Sequence, residues 1–424
     1  MRCVIFDLDG TLTQSDEGIF KSIVYAAEKL GFAAPDPADR RKFVGPPLDY
    51  SFREYLGMSE DEARKAVAAY RERYWETGLF ENRVYPGIRR LLRMLKRRGD
   101  WVAIATGKPT IPSRRIIEHF GLNRYFDRII GSQEAMGATK QDLIRAALPD
   151  QYDKAVMVGD RRFDIEGAHA AGIRAVGVGY GYGDEEELRK AGCEAYAATV
   201  DDLIALLCPG DPVPAGAFIS MEGLDGSGKS TQMERLTDAL GRWGFEVQLS
   251  REPGGSTTGE RIREILLNKD DPMEPLTEAL LFAASRSEHV RTVIRPATAA
   301  GKVLLSDRFV DSSAAYQGGG RELGVSHVME INREAVDGCL PLLTVYLDIS
   351  HTEALKRRYH ATAPDRLERE SDAFHARVEA AYHELIRNDP ARFLCVDARQ
   401  SVDVLADEIA RSVIDRLIRE EERA

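Results

Sequence analysis

Two short stretches of the chain carry residue types suited to handling phosphoryl groups. The first is Gly223-Leu224-Asp225-Gly226-Ser227-Gly228-Lys229-Ser230-Thr231. It fits the spacing G-x-x-x-x-G-K-[ST] at every fixed position, follows the apolar run 218–221 and opens a helical pattern over 231–240. Glycines let successive backbone N–H groups curl around phosphate oxygens without a Cβ in the way. The helix N-terminus adds the positive end of its dipole. This pattern assigns Lys229 to the β- and γ-phosphates of a nucleotide and Ser230 to Mg²⁺. The second stretch is Asp7-Leu8-Asp9-Gly10-Thr11, which follows an apolar strand at 2–6. Residues two apart on a strand face the same way, so Asp7 and Asp9 are expected to project together. The carboxyl end of a strand is where open α/β sheets place their sites. Two clustered carboxylates repel each other and a phosphate; a divalent metal resolves both problems and leaves one Asp able to act as a nucleophile. A solvated acidic turn after an edge strand is the plainer alternative for these five residues alone.

Further clusters follow in the first half. The strand 102–105 ends in Thr106-Gly107-Lys108, which supplies a hydroxyl and a backbone N–H for a phosphate. Lys140, after Thr139, opens the helical stretch 141–147 and can place one ammonium at a pocket. The strand 155–158 runs into Gly159-Asp160-Arg161-Arg162-Phe163-Asp164, two more acids for a cation. The series resembles the haloacid dehalogenase superfamily of phosphatases over about residues 1–208. That resemblance implies that Asp7 becomes an aspartyl phosphate, and that Asp9 protonates the leaving alcohol and then activates water. It gives Thr106 and Lys140 the phosphoryl group. It gives Mg²⁺ to Asp7, the Asp9 backbone carbonyl and Asp160, with Asp164 in support. Residues 15–84, inserted between the first two motifs, resemble the helical cap of that superfamily. Asp16 is placed to cap a helix whose apolar face holds Ile19, Ile23, Ala26, Ala27 and Leu30. A second amphipathic run covers 60–75. The segment 42–47 resembles the specificity loop, most like the phosphoglycolate-phosphatase and 5′-nucleotidase branches; Lys42 fits an ordinary surface turn equally well.

In the second half, the strand 247–249 leads to Arg251, a guanidinium at a strand end and suited to a second phosphate. Phe282 and Arg286 stand four apart on a helical run and so share a face. An aromatic plane beside a guanidinium can stack on a base and bond its carbonyl; on spacing alone, a core Phe with a surface Arg is the favoured alternative. The strand 303–306 ends in Asp307-Arg308, an acid for Mg²⁺ and a phosphate ligand, and 342–347 is the next buried strand. The blocks 222–231, 251–255, 281–286, 307–320 and 365–368 together resemble thymidylate kinases of the bacterial type, over roughly 216–420. The resemblance implies transfer from ATP to dTMP, giving ADP and dTDP. It puts Phe282 on thymine and Arg286 on its O4. Ser313 and Gln317 fall near base and sugar, and Tyr316 crowds the 2′ position. Asp225 lies near the sugar and acceptor phosphate, which Arg251 and Arg308 grip. One departure stands out. The family supplies an arginine to the transferring group from the loop or a lid, but the loop here has Gly226 and the lid's middle, 359–364, has none. Either Arg357, Arg358 or Arg366 substitutes or the kinase is slow; Arg358 or Arg366 is expected to swing in on lid closure.

The chain of 424 residues is longer than one hydrophobic core usually serves. The expected fold class is α/β, two doubly wound parallel-sheet domains: a Rossmann-like phosphatase core at 1–14 and 85–208 with the cap at 15–84, and a phosphate-loop nucleoside monophosphate kinase fold at 216–424. The Pro- and Gly-rich seam 209–215 is expected to be a stiff linker. A net charge of −11 argues against general nucleic-acid or anionic-membrane binding. The five cysteines, Cys3, Cys193, Cys208, Cys339 and Cys395, form no C-x-x-C pair, which suits a reducing compartment and no zinc site. A strand starting almost at Met1 leaves no room for a signal peptide, so a cytoplasmic protein is expected. A homodimer is implied by the kinase resemblance. Two other classes stay open: a second half that senses dTMP without turning it over, and a first half that serves chiefly as a structural partner.

Overall fold

The computed structural model describes residues 1–132, 138–268, 272–358, 367 and 370–423. The chain divides into two compact units, Met1–Pro212 with Gly241–Phe245, and Val213–Leu240 with Glu246–Ala424.

The first unit is built on a six-stranded parallel sheet. Its strands are Arg2–Phe6 (β1), Trp101–Pro109 (β4), Arg128–Ser132 (β5), Lys154–Gly159 (β6), Arg174–Val178 (β7) and Ala195–Ala197 (β8), in the order β5-β4-β1-β6-β7-β8. The two-residue period of a strand explains why these runs are apolar throughout. Val4, Phe6, Ile104 and Val158 enter one buried cluster, while Cys3, Ile5, Ala105 and Met157 enter another. Helices therefore cover both faces, and the site residues are carried to the free strand ends. Strand β4 continues past Thr106, because its pairing with β5 resumes at Pro109↔Ser132 after a register shift. The apolar run itself ends at Ala105.

Strands Thr13–Gln14 (β2) and Arg83–Val84 (β3) pair antiparallel and bracket the inserted helices Asp16–Lys29, Leu48–Leu56 and Glu60–Arg73. Ser59 caps the third of these in a reciprocal box with Glu62. The first helix is capped differently from expectation. Ser15 is the N-cap residue and Asp16 lies inside the helix, with no side-chain cap bond. The Tyr182 hydroxyl instead accepts the N–H groups of Ser15 and Asp16 at 2.8 and 2.9 Å. The Asp16 carboxylate is thereby left for Arg40, whose Nε stands 2.8 Å away.

The second unit carries a five-stranded parallel sheet of Ala217–Gly223 (β9), Val247–Arg251 (β10), Val303–Asp307 (β11), Leu343–Asp348 (β12) and Phe393–Asp397 (β13). The order is β10-β11-β9-β12-β13. Strand β9 sits between β11 and β12, so the chain changes winding direction at its carboxyl end. The glycine loop leaves from that end into the helix Lys229–Arg242.

Candidate functional site

In the first unit, β1 stops at Phe6 and Asp7 lies just past it, its N–H donating to the Val158 carbonyl at 2.9 Å. Asp7, Asp160 and Asp164 are buried, each with a carboxylate oxygen within 4.8 Å of the others. Lys140 opens the helix Lys140–Ala147, which Thr139 caps in a box with Asp142. Its Nζ reaches Asp7 Oδ1 at 2.7 Å and Asp164 Oδ1 at 2.6 Å. Asp160 accepts the Tyr182 N–H at 2.8 Å and the Thr11 hydroxyl at 3.2 Å. Gly10 has φ +84°, and a Cβ there would overlap the Asp160 carboxylate. Burial, reinforced by Asp164 and Asp7, pushes the Asp160 carboxyl up to about 8. Burial, opposed by Lys140, pushes Asp7 up to about 6. Burial would lower Lys140, but Asp164 and Asp7 outweigh it and hold the ammonium above its usual range. Three buried carboxylates facing one ammonium leave an uncompensated negative charge, and that donor set fits a divalent cation.

The Asp9 carboxylate lies outside that cluster; its Oδ2 is 3.1 Å from Lys108 Nζ. Thr106 is buried, and its hydroxyl accepts the Lys108 N–H at 3.2 Å. Lys42 is exposed and paired with Asp39 at 2.7 Å, the arrangement of a surface lysine.

In the second unit, Gly226 and Gly228 adopt φ of +88° and +99°, values that L side chains rarely take. The buried Lys229 ammonium donates to the Gly223 and Leu224 carbonyls at 3.1 Å each, and Asp225 Oδ1 stands at 3.5 Å. Burial, then Arg308, lowers its pKa. Among the described residues Ser227 Oγ is buried without a partner, while Ser230 and Thr231 are exposed at the helix start. Asp307 ends β11 with Oδ1 buried and unpartnered among the described residues, an acceptor atom available to a cation.

Arg308 follows with φ +72°, a sparsely populated backbone conformation for a residue with a side chain. Its guanidinium reaches Asp225 Oδ1 at 2.6 Å, Ser312 Oγ at 3.0 Å and Tyr316 Oη at 3.3 Å. These groups line a cavity of about 190 Å³ together with Arg251, Phe282, Arg286, Ser313 and Gln317. Arg286 is not a surface residue: it is 1% exposed and bound to Glu252 Oε2 at 2.8 Å, Ser313 Oγ at 3.1 Å and the Asn332 side chain. A buried guanidinium needs a buried carboxylate, and Glu252 supplies it from the residue just past β10. Arg251 is more open, paired with Glu260 at 3.0 Å. Gln317 Nε2 donates to Glu278 at 2.8 Å, leaving its Oε1 buried and unpartnered among the described residues. A second cavity of about 370 Å³ runs along Gly226, Ser227 and Gly228 to Arg357 and Val402. Arg357 donates to the Ala398 carbonyl at 2.7 Å. The Arg358 side chain and Arg366, with 359–364, Asp365 and Glu368, lie outside the described residues.

Residues 221–409 match the family profile described as Thymidylate kinase, and residues 4–178 that of Haloacid dehalogenase-like hydrolase. The thymidylate kinase of Thermoanaerobacter sp. (strain X514) is 47% identical over 187 residues, 44% of this chain and 92% of that protein. That of Halothermothrix orenii is 46% identical over 208 residues, 48% of this chain and 99% of that protein. The chain belongs to the thymidylate kinase family. Its first unit is a haloacid dehalogenase-like hydrolase domain fused ahead of the kinase domain. Among solved structures, a predicted phosphatase from Clostridium acetobutylicum is 45% identical, covering 48% of this chain and 95% of its own at a TM-score of 0.45. A putative phosphatase from Clostridium difficile is 38% identical, covering 48% and 97%, with a TM-score of 0.46.

The thymidylate kinase domain thus has Asp225, Lys229, Asp307 and Arg308 grouped at the ends of β9 and β11, and Phe282, Arg286, Ser313, Tyr316 and Gln317 around one cavity. The hydrolase domain brings Asp7, Asp160, Asp164 and Lys140 together and holds Asp9 beside Lys108. Sequence reasoning gave no individual role to Glu222. It is fully buried and accepts from the Phe309 N–H at 2.7 Å, Ser312 at 2.5 Å and Tyr382 at 2.8 Å. Burial, then Asp311, raises its carboxyl to about 7. A charged residue alone in an apolar strand was the available signal. Among the described residues, no helix is long and apolar enough to cross a membrane.

Proposed function

We propose that the protein is a bifunctional phosphoryl-transfer enzyme: a dTMP kinase using ATP, joined to a Mg²⁺-dependent phosphatase that works through an aspartyl phosphate. The kinase reading rests above all on one observation, the Asp225–Arg308 pair that stands between the phosphate loop and the 190 Å³ cavity. In this reading the cavity takes dTMP. Phe282 covers thymine, and Arg286, fixed by Glu252, offers a donor to its O4. Tyr316 disfavours a ribose. Arg308 and Arg251 hold the acceptor phosphate. Lys229 exchanges its loop carbonyls for phosphate oxygens of ATP, cradled by the N–H groups of 223–231. Ser230 and Asp307 are the residues that would hold Mg²⁺ there.

In the hydrolase domain, Asp7, Asp160 and the Asp9 carbonyl, with Asp164 in support, would hold Mg²⁺. When bound, it neutralises the clustered acids and screens the incoming phosphate. Lys140 fixes Asp7 by one oxygen, so the other is available to attack phosphorus. Thr106 and Lys140 bind the transferred group, and Asp9 handles the proton. The insertion at 15–84 excludes water and selects the substrate, a phosphate monoester. Its presence on one chain with a nucleotide kinase supports a nucleotide or a related phosphate. A cytoplasmic homodimer, with a first domain at 1–14 and 85–208, a linker at 209–215 and a second domain at 216–424, completes the proposal.

Two assays test these readings. ATP, Mg²⁺ and dTMP should yield ADP and dTDP; tight dTMP binding with no ADP formed would make the second domain a sensor. Phosphate release from dTMP, dUMP and phosphoglycolate should favour a nucleotide, and exclusive use of phosphoglycolate would refute the pathway link.

A further inference from the structure

We propose that Lys108 is a positioning residue that ties the proton-handling carboxyl of Asp9 to the helical insertion through Tyr74. The proposal rests on the reading of the first domain as a phosphatase acting through Asp7.

Lys108 lies near the end of β4, two residues past Thr106, and its side chain is only 7% exposed. Its ammonium meets Asp9 Oδ2 at 3.1 Å and donates to the Tyr74 hydroxyl oxygen at 2.5 Å, lying 4.8 Å from the centre of the same ring. Tyr74 comes from the other side. It opens the one-turn π-helical segment Tyr74–Gly78 that ends the helix Glu60–Arg73. Such segments are frequent where a helix serves a site. Its ring stacks on Tyr70 at 5.0 Å and 21°, and both rings are buried. Burial holds both phenols well above their usual range, so they stay neutral and the ammonium faces a hydroxyl, not a phenolate.

The two oxygens of Asp9 are treated differently. Oδ2 is held by Lys108, while Oδ1 is buried with no partner among the described residues. A buried acceptor without a donor is unfavourable, and a leaving-group oxygen placed there would complete the bonding. Lys108 therefore fixes the rotation of the carboxyl by one oxygen and leaves the other to the leaving group. Because one ammonium is shared between Asp9 and Tyr74, displacing the Tyr74 turn would free Lys108 and with it the acid.

The chemistry served is balanced in two halves. An Asp7 oxygen bonds to phosphorus as the phosphorus–alkoxy bond breaks, and the leaving oxygen takes the Asp9 proton. Aspartyl phosphate, alcohol and an Asp9 carboxylate beside Lys108 result. Water then gives its proton back to Asp9 as its oxygen bonds to phosphorus, and the aspartyl–phosphorus bond breaks to release inorganic phosphate.

The test compares two aryl esters of similar size, phenyl phosphate and p-nitrophenyl phosphate, with the full-length wild type, Lys108→Met, Tyr74→Phe and Asp7→Asn in Mg²⁺. Phenolate is a poor leaving group that needs a proton, with the phenol pKa near 10; p-nitrophenolate leaves without one. For Lys108→Met, kcat/KM on phenyl phosphate is expected to fall by about tenfold or more, the lower end of what a displaced acid costs being about 10²-fold when it is lost outright. On p-nitrophenyl phosphate the same variant should stay within about threefold of wild type, which also reports that it folds. Tyr74→Phe should shift the ratio the same way by less, and Lys108→Arg should restore part of it. Equal losses on both esters, or none on either, would overturn the positioning role. No phosphate release by wild type, or release surviving in Asp7→Asn, would instead refute the phosphatase reading and the proposal with it.

Discussion

Arg308 Nη2 lies 2.6 Å from Asp225 Oδ1, joining the residue after β11 to the middle of the phosphate loop. The backbone of Arg308 takes φ +72° to make that contact. Strain of this kind persists where the surroundings over-determine it, and here the Glu222 carboxylate does so by accepting from both Phe309 and Ser312.

Arg308→Met should remove a fixed guanidinium from the proposed acceptor site. The expected effect is a loss of about 10²–10³-fold in kcat for dTMP phosphorylation, with the fold intact. Arg308→Lys keeps the charge but not the forked geometry and should recover only a part. Steady-state kinetics with circular dichroism checks both points.

Glu222 makes stability depend on pH. An unfolded glutamate titrates at about 4.3, whereas burial raises Glu222 to about 7 in the fold. The folded chain therefore retains a proton that the unfolded chain has lost between those values. The associated stability is present in full below the lower value and is lost as pH rises through the higher one. Urea midpoints should show wild type losing stability relative to Glu222→Gln between pH 5 and pH 8. A gap independent of pH would contradict this.

Asp160→Asn should trade activity for stability. Its carboxyl is pushed up to about 8 by burial and by Asp164 and Asp7, and Lys140 bonds the other two acids but not this one. Without metal, the variant's melting temperature should rise by about 2–4 °C per kcal/mol of relieved repulsion. Mg²⁺ should raise that of wild type further, by about 2.7 kcal/mol of stability at a hundred times Kd, and raise the variant's much less. Phosphate release should be abolished by chelation in wild type.

Tyr182→Phe should destabilise the first domain by about 1–2 kcal/mol, because the N–H groups of the N-cap Ser15 and of Asp16, at the start of the helix Asp16–Lys29, lose their acceptor. Differential scanning calorimetry reads it directly.

Much of this arrangement was legible in the residues. Apolar runs gave the central strands because a sheet covered on both faces leaves no polar alternation to find. The motif acids stand at strand ends, where local sequence already put them. What escaped depends on partners distant in the chain. Asp16 looked like a cap because Asp often is one, but Tyr182, 166 residues on, holds the N–H groups instead. Spacing alone favours a surface Arg286, against the thymine contact that the kinase resemblance implies, because it says nothing of Glu252 on another element. Strand β4 outran its apolar stretch because backbone pairing to β5, not side-chain type, sets its end. Lys108 was visible as a residue, but its link to Tyr74 required the insertion to be folded.

The central claim is that one chain carries two independent phosphoryl-transfer sites. The most direct measurement follows dTDP and inorganic phosphate together, in one mixture of ATP, Mg²⁺, dTMP and p-nitrophenyl phosphate, for wild type, Lys229→Ala and Asp7→Asn. Lys229→Ala should lose dTDP and keep phosphate release from the ester; Asp7→Asn should do the reverse. Loss of both products in either variant, or of neither, would contradict the account.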